Sequence, residues 1–324
     1  MVKRILVTGG AGYIGSHITE LLIKKKKKVF IVDNLSTGFR KLLNKKAIFF
    51  KTDIHNLKKI NQILKKNNIE TIVHLAASLL IEESERSPKK YFKNNVEGTK
   101  KLLLALKDTS VKNFIFSSTA AIYKDGQFKV NENSLIKPKS IYGKTKVSCE
   151  KLITKYCSKY KINYAILRYF NIAGSSDSGK IGLLNKSDHL FKNYSREIMK
   201  KKPLLRVYGS NYNTEDGSCI RDFIHVSDIA DIHYKVLQKI NIIKKSKIFN
   251  CGYNKGTSVL EVAKEFQRQS SKKVKILITK RRKGDLVKII ASNKKLIKFI
   301  NWKPKYNNLR KIVQSCLNWE KKIK

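Results

Sequence analysis

Short apolar runs and longer amphipathic segments alternate along the first half of the chain. The apolar runs predict strands, and helical periodicity between them predicts helices. The predicted strands are RILVT, VFIVD, AIFFKTD, TIVHLA, NFIFSS and YAILRYF. The predicted helices are Tyr13–Lys24, Asn56–Asn67, Tyr91–Lys107 and Ile141–Tyr160. Buried strands joined by helical crossovers predict an α/β fold with a Rossmann-type, doubly wound parallel sheet, which binds ligands at the carboxyl ends of its strands.

The composition is extreme in its charge. The chain has 324 residues, and 70 Lys and Arg against 24 Asp and Glu give a formal net charge of +46. Such a charge attracts phosphate polymers without specificity. The lysines are spread over the whole length, whereas a dedicated nucleic-acid binder concentrates them on one face. We therefore expect no specific nucleic-acid partner and interpret the lysines as solvated surface residues, enriched by a genome biased toward A and T.

Apolar runs and cysteines indicate the compartment. No apolar run reaches the roughly 18 to 20 residues of a membrane span, so we expect a cytoplasmic protein with no membrane partner. The cysteines are odd in number and lack CxxC spacing, which argues against a disulfide framework and against zinc. The histidines show no ligand spacing, and we expect no catalytic metal. Free buried thiols are expected at Cys149, Cys157, Cys219, Cys251 and Cys316.

The first chemical motif is the glycine turn VTGGAGYIG, which follows a predicted strand and opens a predicted helix. Gly9, Gly12 and Gly15 allow a tight turn and a close approach to a pyrophosphate at the helix N-terminus. Asp33 ends the second predicted strand, where a carboxylate binds the adenosine ribose and repels a 2′-phosphate. The pattern predicts NAD rather than NADP. Asp53, at the end of the third strand, either contacts adenine or caps the next helix.

A second motif, SIYGKTK, places Tyr142 four residues before Lys146. Four residues make about one helical turn, so the phenol and the ammonium rise from the same face of the predicted helix.

Together these motifs carry a family resemblance. The chain resembles the extended short-chain dehydrogenase/reductases and, within that group, the UDP-glucose 4-epimerases. The similarity covers nearly the full length, through ILVTGGAGYIGSH, HLAA, NNVEGT, NFIFSST, YGKTK, LRYFN, GSCIRDFIHVSD and RRKGD. The segment Gly217–Asp228 is its most specific part.

The resemblance implies a mechanism. Tyr142 is the base that takes the proton from the sugar 4-hydroxyl while NAD accepts the hydride from C4, and the 4-keto sugar then takes the hydride back on its other face. Lys146 and the cationic nicotinamide are expected to lower the pKa of the phenol from about 10. Lys146 also holds the nicotinamide ribose, and Thr119 hydrogen-bonds the same sugar oxygen.

The resemblance also implies the remaining site residues. Those expected at the cofactor are Gly9, Gly12, Tyr13, Ile14, Gly15, Asp33, Asn34, Asp53, Ile54, Leu75, Ala76, Asn94, Ser117, Tyr142, Lys146 and Tyr169. Those expected at UDP-glucose or UDP-galactose are Thr119, Tyr142, Asn171, His189, Leu190, Tyr208, Arg221, Arg282, Asp285 and Ile289. Ile289 lies where the family's pocket meets the 2-substituent of the hexose, which predicts weak turnover of N-acetylated UDP-sugars.

The expected domains follow the same resemblance. Residues 1–171 form the NAD-binding domain, to which a later segment of roughly 218–250 returns, and residues 172–324 form mainly a smaller, mixed α/β UDP-sugar-binding domain. A homodimer is expected.

Three alternatives were weighed. A nucleotide-sugar 4,6-dehydratase needs an acid and a base directly after the threonine, where this chain has Ala120 and Ala121. Another NAD-dependent nucleotide-sugar epimerase or decarboxylase remains open. A binder of RNA or other polyanions on a retired enzyme fold is disfavoured by the intact Thr119, Tyr142 and Lys146.

Overall fold

A computed structural model describes residues 3–185, 189–242, 247–282 and 285–323. The chain forms two compact units. The first unit comprises Met1–Ile122, Ile136–Tyr169 and Ala230–Phe249, and the second comprises Tyr123–Leu135, Phe170–Ile229 and Asn250–Lys324. These boundaries differ from the expected domains at residues 123–135, 170–171 and 218–229, all of which lie in the second unit. Residues 218–229 belong to the second unit because their strands pair there.

The strands and helices are numbered in chain order. The strands are β1 (Arg4–Thr8), β2 (Lys28–Asp33), β3 (Ile48–Lys51), β4 (Thr71–His74), β5 (Asn113–Thr119), β6 (Lys129–Val130), β7 (Asn163–Tyr169), β8 (Asn171–Ala173), β9 (Leu204–Tyr208), β10 (Ile220–Arg221), β11 (Phe223–His225), β12 (Lys247–Cys251), β13 (Thr257–Ser258), β14 (Lys275–Thr279) and β15 (Lys288–Ala291). The α-helices are α1 (Tyr13–Lys24), α2 (Leu57–Lys66), α3 (Ile81–Arg86), α4 (Pro88–Tyr91), α5 (Gly98–Leu104), α6 (Ile141–Lys159), α7 (Leu190–Met199), α8 (Val226–Lys239), α9 (Val259–Arg268), α10 (Lys294–Ile300) and α11 (Leu309–Ile323).

A seven-stranded sheet dominates the fold, in the order β12-β7-β5-β4-β1-β2-β3. The five pairings from β7 to β3 are all parallel. Leu6 of β1 points into a buried cluster with side chains of α2, α5 and α6. Its neighbours Ile5 and Val7 point to the other face and are equally buried, so both faces of the sheet are covered. The predicted doubly wound α/β fold is confirmed.

Local capping explains where two of the predicted helices begin. Asn56 accepts a hydrogen bond from the backbone N–H of Lys59 at the start of α2, and Ser140 accepts one from Gly143 at the start of α6. Short polar side chains at this position satisfy N–H groups that the first helical turn leaves without partners. Helix α6 therefore begins one residue before Tyr142.

The segment Tyr91–Lys107 is helical as predicted, but it is not one continuous α-helix. The segment consists of α4, a π-helical turn from Phe92 to Glu97, and α5. Asn95 in the wide turn accepts a hydrogen bond from the N–H of Ser78 at 2.8 Å and donates one to Thr145 Oγ1 at 3.1 Å. A π-turn inserts one residue into a helix and is frequent at functional sites. Here it brings the Asn95 amide to partners in two other segments.

The second unit holds three small sheets, ordered β13-β10-β15-β6, β11-β8 and β14-β9. The buried carboxylate of Asp222 fixes the backbone around them. It accepts N–H hydrogen bonds from Tyr253 at 2.8 Å, Asn254 at 2.9 Å and Ala291 at 3.1 Å. Burial raises the pKa of Asp222 to about 6, and these hydrogen bonds oppose the rise.

Two further expectations concern the whole chain. All five cysteines are buried and unbridged, as predicted. None of the helices in the described residues has both the length and the apolarity to cross a membrane.

Candidate active site

The glycine turn connects β1 to α1 at the carboxyl edge of the sheet. Gly9 has a φ of +72°, and a Cβ built on it would lie 2.8 Å from the backbone nitrogen of Ala76. A Cβ on Gly15 would lie 2.2 Å from the carbonyl oxygen of Gly9. No other residue type fits either position, because backbone atoms cannot move aside. The turn therefore packs its backbone closely against the strand end of β4, directly before Tyr13 and Ile14, the first two residues of α1.

Asp33 ends β2 beside this turn and is buried. Its two carboxylate oxygens accept hydrogen bonds from the N–H of Ala11 at 3.0 Å and of Leu35 at 2.8 Å. Burial raises the pKa of the carboxyl, and the two N–H donors oppose the rise. The donors fix the carboxylate at the strand end, where the sequence predicts a ribose contact.

Asp53 is held by side chains as well as by backbone. It accepts hydrogen bonds from Asn34 Nδ2 at 2.7 Å and from the backbone and ring of His55. Burial would raise the pKa of Asp53, but the bonds from His55 and Asn34 outweigh it and hold the pKa below its ordinary value. Because Leu57 begins α2 four residues later with Asn56 as its cap, Asp53 does not cap that helix. Ile54, the next residue, is buried.

The strand end of β4 is fixed by His74. Its ring bridges the hydroxyls of Thr8 at 2.7 Å and Thr99 at 3.0 Å. Burial lowers the pKa of His74 to about 3, so its ring is neutral. The backbone N–H groups of Leu75 and Ala76 point to Thr8, which places both beside the glycine turn.

Asn94 also lies near this edge, and its amide donates to Ser78 Oγ at 2.9 Å.

Tyr142 and Lys146 meet the end of β5. The phenol of Tyr142 is hydrogen-bonded to the side chain of Thr119. Lys146 donates to the carbonyl oxygen of Ser117 at 2.9 Å, and its ammonium lies 5.9 Å from the centre of the Tyr142 ring. Both side chains are more than nine-tenths buried. The predicted catalytic residues are therefore assembled at one strand end.

The expected lowering of the Tyr142 pKa is not produced by the residues of the chain. Burial raises the pKa of Tyr142 to about 12, and the hydrogen bond from Thr119 offsets only part of that rise. Burial also lowers the pKa of Lys146, to about 8. A buried phenol needs additional positive charge nearby before it ionises at neutral pH.

Tyr169 ends β7, directly beside Thr119 in the register of the sheet. Its hydroxyl is hydrogen-bonded to Nε2 of buried His233 at 2.8 Å. Every residue predicted at the cofactor and every predicted catalytic residue thus lies in the first unit.

The second unit gathers the charged residues predicted at the substrate. Asp285 lies 3.2 Å from Arg282 Nε and 3.8 Å from Arg221 Nη2. The guanidinium of Arg282 lies over the ring of Tyr208, 4.7 Å from its centre. Arginine forks bind diphosphate through parallel hydrogen bonds, and an aromatic face suits a flat base. Of the RRKGD motif, residues 283–284 lie outside the described residues.

Four more residues predicted at the substrate lie in the same unit: Asn171, His189, Leu190 and Ile289. Ile289 is buried on β15, opposite Arg221 in the register of the β10–β15 pair. Asn171 has an exposed side chain, and its backbone N–H donates to the carbonyl oxygen of Asp222 at 3.0 Å. His189 precedes Leu190, the first residue of α7, and its ring is hydrogen-bonded to the carbonyl oxygen of Ile172.

Sequence reasoning missed buried side chains in both units that lie near predicted site residues. Glu150 forms a buried ion pair with Arg168. Tyr212 is buried in the second unit, with the guanidinium of Arg281 3.9 Å from its ring centre. Glu150 continues the four-residue spacing of Tyr142 and Lys146, which was a usable signal; Tyr212 gave none. Among the described residues no cluster of His, Cys, Asp or Glu could hold a metal ion.

Comparison with known proteins places this geometry in a family. Residues 5–252 match the model of the NAD dependent epimerase/dehydratase family. The UDP-glucose 4-epimerase of Halalkalibacterium halodurans is 37% identical over 319 residues, which cover 98% of this chain and 95% of that protein.

Solved structures of UDP-glucose 4-epimerases have the same fold as this chain. The UDP-glucose 4-epimerase of Stenotrophomonas maltophila, with bound NAD and formylated UDP-arabinopyranose, superposes with a TM-score of 0.95 at 30% identity, covering 99% of this chain and 98% of the other. The UDP-Glc/GlcNAc 4-epimerase of Campylobacter jejuni gives 0.86 at 34% identity, with 99% of each chain covered. The chain therefore belongs to the NAD dependent epimerase/dehydratase family and, within it, to the UDP-glucose 4-epimerases.

Proposed function

We propose that this protein interconverts UDP-glucose and UDP-galactose by transient oxidation of the sugar at C4. The observation that carries the proposal is the assembly of Tyr142, Lys146 and Thr119 at the end of β5, in the same unit as a glycine turn and a fixed carboxylate.

The first unit fits NAD. A pyrophosphate needs close backbone approach, which Gly9 and Gly15 supply where a Cβ would meet backbone atoms. Asp33 would hold the adenosine ribose and disfavour a 2′-phosphate, and Lys146 would hold the nicotinamide ribose. When bound, oxidised NAD supplies a hydride acceptor and a positive charge on its nicotinamide.

The chain's own groups handle the proton. Tyr142 takes it from the 4-hydroxyl and returns it when the sugar is reduced, so the phenol serves as base and then as acid. Thr119 is hydrogen-bonded to the same phenol and orients it toward the sugar oxygen. Lys146 keeps its proton during this transfer, and its ammonium stabilises the phenolate that forms.

Residues of the second unit would bind the uridine diphosphate. Arg221 and Arg282 would bind its phosphates, with Asp285 holding both guanidinium groups in place. Tyr208 would stack near the uracil, while Asn171, His189 and Leu190 would complete the contacts. We assign these roles from the resemblance and from the cluster that Asp285 organises.

The pocket would favour glucose and galactose over their N-acetylated forms. Ile289 is branched, stiff at χ1 and buried, so it cannot easily swing aside for an acetamido group. The Campylobacter jejuni neighbour is a UDP-Glc/GlcNAc 4-epimerase, which supports partial rather than absolute exclusion.

We also propose that the protein is a cytoplasmic homodimer. Free cysteines are typical of a reducing compartment. Phe92 and Leu104 are exposed on the segment that packs against α6, and Tyr160 is exposed where α6 ends. Exposed apolar side chains of this kind suit a partner surface. Sedimentation of the purified protein would distinguish a dimer from a monomer.

The direct test is turnover. Purified protein supplied with NAD and UDP-galactose should produce UDP-glucose until the two reach equilibrium. Absence of product from a folded protein that binds UDP would refute the proposal. Appearance of a 4-keto-6-deoxy sugar would indicate dehydration instead, for which Ala120 and Ala121 offer no acid or base.

A further inference from the structure

Glu150 is a buried carboxylate that the proposed chemistry does not use. It lies one turn after Lys146 on α6. Its Oε1 accepts hydrogen bonds from Ser118 Oγ at 2.5 Å and Arg168 Nε at 3.0 Å, and its Oε2 accepts one from an Arg168 terminal nitrogen at 2.8 Å. The side chains of Arg168 and Glu150 are 2% and 8% exposed. This ion pair is bidentate and almost completely buried.

The partners of Glu150 lie beside the catalytic groups. Ser118 and Arg168 are directly opposite each other in the β5–β7 register. Ser118 lies between Ser117, whose carbonyl accepts the Lys146 hydrogen bond, and Thr119, which contacts Tyr142. One carboxylate on α6 therefore holds the ends of two strands.

The charge of Glu150 also acts on Lys146. Facing the ammonium are Phe116, whose ring centre is 4.8 Å away, and the phenol of Tyr142 on its own helix. His74 on β4 is close enough to interact electrostatically but is neutral. Burial lowers the pKa of Lys146 to about 8, and the charges of Cys149 and Glu150 oppose that fall. The pKa of Cys149 is itself raised by burial, so its thiol is neutral at physiological pH and Glu150 supplies the negative charge.

We propose that Glu150 is a positioning residue for the proposed epimerase reaction: it fixes the strand end that carries Ser117 and Thr119, and it places a negative charge one helical turn from Lys146. The inference rests on the proposed function. Its two parts, geometry and charge, can be separated by substitution.

Glu150→Gln keeps the length of the side chain and removes its charge, whereas Ser118→Ala keeps the charge and removes one contact. Glu150→Asp keeps the charge at a shorter reach. Since removing one partner of a buried ion pair is strongly destabilising, Glu150→Gln/Arg168→Met serves as a second variant that leaves no unpaired buried cation. Glu320→Gln is the matched control, because Glu320 forms the buried ion pair with Lys192 in the second unit.

The experiment measures kcat against pH for UDP-galactose, with UDP affinity and the free energy of unfolding measured on the same samples. Loss of the Lys146 proton should set the alkaline limb of the profile. Glu150→Gln and the double variant should move that limb down by about one pH unit, the usual effect of a nearby opposite charge. Glu150→Asp should keep the alkaline limb at its wild-type pH. Ser118→Ala should lower kcat at every pH and leave the alkaline limb in place.

The free energy of unfolding supplies a readout independent of activity. A lysine whose folded pKa lies below its unfolded value makes the fold more stable as pH rises between the two values. In Glu150→Gln this rise in stability should begin at lower pH than in the wild type. The difference in pH dependence between the wild type and Glu150→Gln should disappear when Lys146→Met is introduced into both. Glu320→Gln should lose stability without either change.

The outcomes separate the hypotheses. Wild-type protein that produces no UDP-glucose refutes the proposed function. The role of Glu150 is refuted if the wild type is active and a folded Glu150→Gln or double variant has the same alkaline limb and the same unfolding profile as the wild type. A shift that Glu320→Gln shares would show a general loss of stability and also overturn the inference.

Discussion

Replacing Tyr142 by Phe tests the proposed chemistry most directly. The substitution keeps the ring that packs near Lys146 and removes the hydroxyl that Thr119 contacts. Loss of one hydrogen bond costs about 0.5 to 1.5 kcal/mol of stability. Loss of a general acid and base typically costs ~10² to 10⁴ in rate, or about 3 to 5 kcal/mol in the barrier. The kinetic effect should therefore exceed the effect on stability several-fold.

The assay follows conversion of UDP-galactose under single-turnover conditions, so that product release does not mask the chemical step. UDP affinity, measured by calorimetry, should be unchanged, because the residues proposed to bind UDP lie in the second unit. Tyr194→Phe is the control: that tyrosine is also buried, and its hydroxyl donates to the carbonyl oxygen of Arg206 at 2.8 Å. It should lose similar stability and keep its rate. A Tyr142→Phe protein that turns over like wild type would refute the assignment of the base.

Three further predictions concern cofactor, sugar and charge. Activity should require NAD, and NADP should be at least about tenfold less effective, because a fixed buried carboxylate repels a 2′-phosphate. Asp33→Asn should reduce this preference for NAD over NADP. Equal use of both cofactors by the wild type would contradict the role of Asp33. Turnover of N-acetylated UDP-sugars should be weaker than that of UDP-galactose by about 1 to 3 kcal/mol in the barrier. Ile289→Tyr should abolish the weaker activity and Ile289→Cys should raise it; variants that match wild type on both sugars would show that Ile289 does not line the pocket. At a net charge of +46, moderate salt should raise the melting temperature by screening self-repulsion, and calorimetric scans that do not change with salt would show that the charges are already balanced locally.

Local patterns predicted the first half of the fold well. Strand β1 and helix α1 begin and end at the predicted residues, because an apolar run, a glycine turn and an amphipathic segment each have one favourable structure there. The π-turn around Asn95 escaped prediction, since the hydrogen bonds that stabilise it come from Ser78 and Thr145, far away in the chain. The short strands of the second unit escaped for the same reason: β10 and β13 have two residues each and exist only through their pairing.

The site was predictable where residue spacing carries the chemistry, as for Tyr142 and Lys146. It was not predictable where chemistry depends on burial. The pKa of Tyr142 is raised because the phenol is desolvated, and no spacing in the sequence reveals how strongly. The four-residue spacing places Glu150 on the same helix face as Lys146, but only the fold shows that Glu150 is buried in an ion pair with Arg168.

The hydrogen bonds of Asp222 have an evolutionary consequence. The carboxylate accepts N–H groups from Ala291 on β15 and from Tyr253 and Asn254 after β12, so it joins two parts of the second unit that are far apart in the sequence. Arg221 directly precedes Asp222, and Ile289 lies opposite Arg221 in the β10–β15 register. We therefore expect position 222 to tolerate far less change than the exposed lysines of the chain, since a side chain without the carboxylate leaves buried N–H groups without their acceptor.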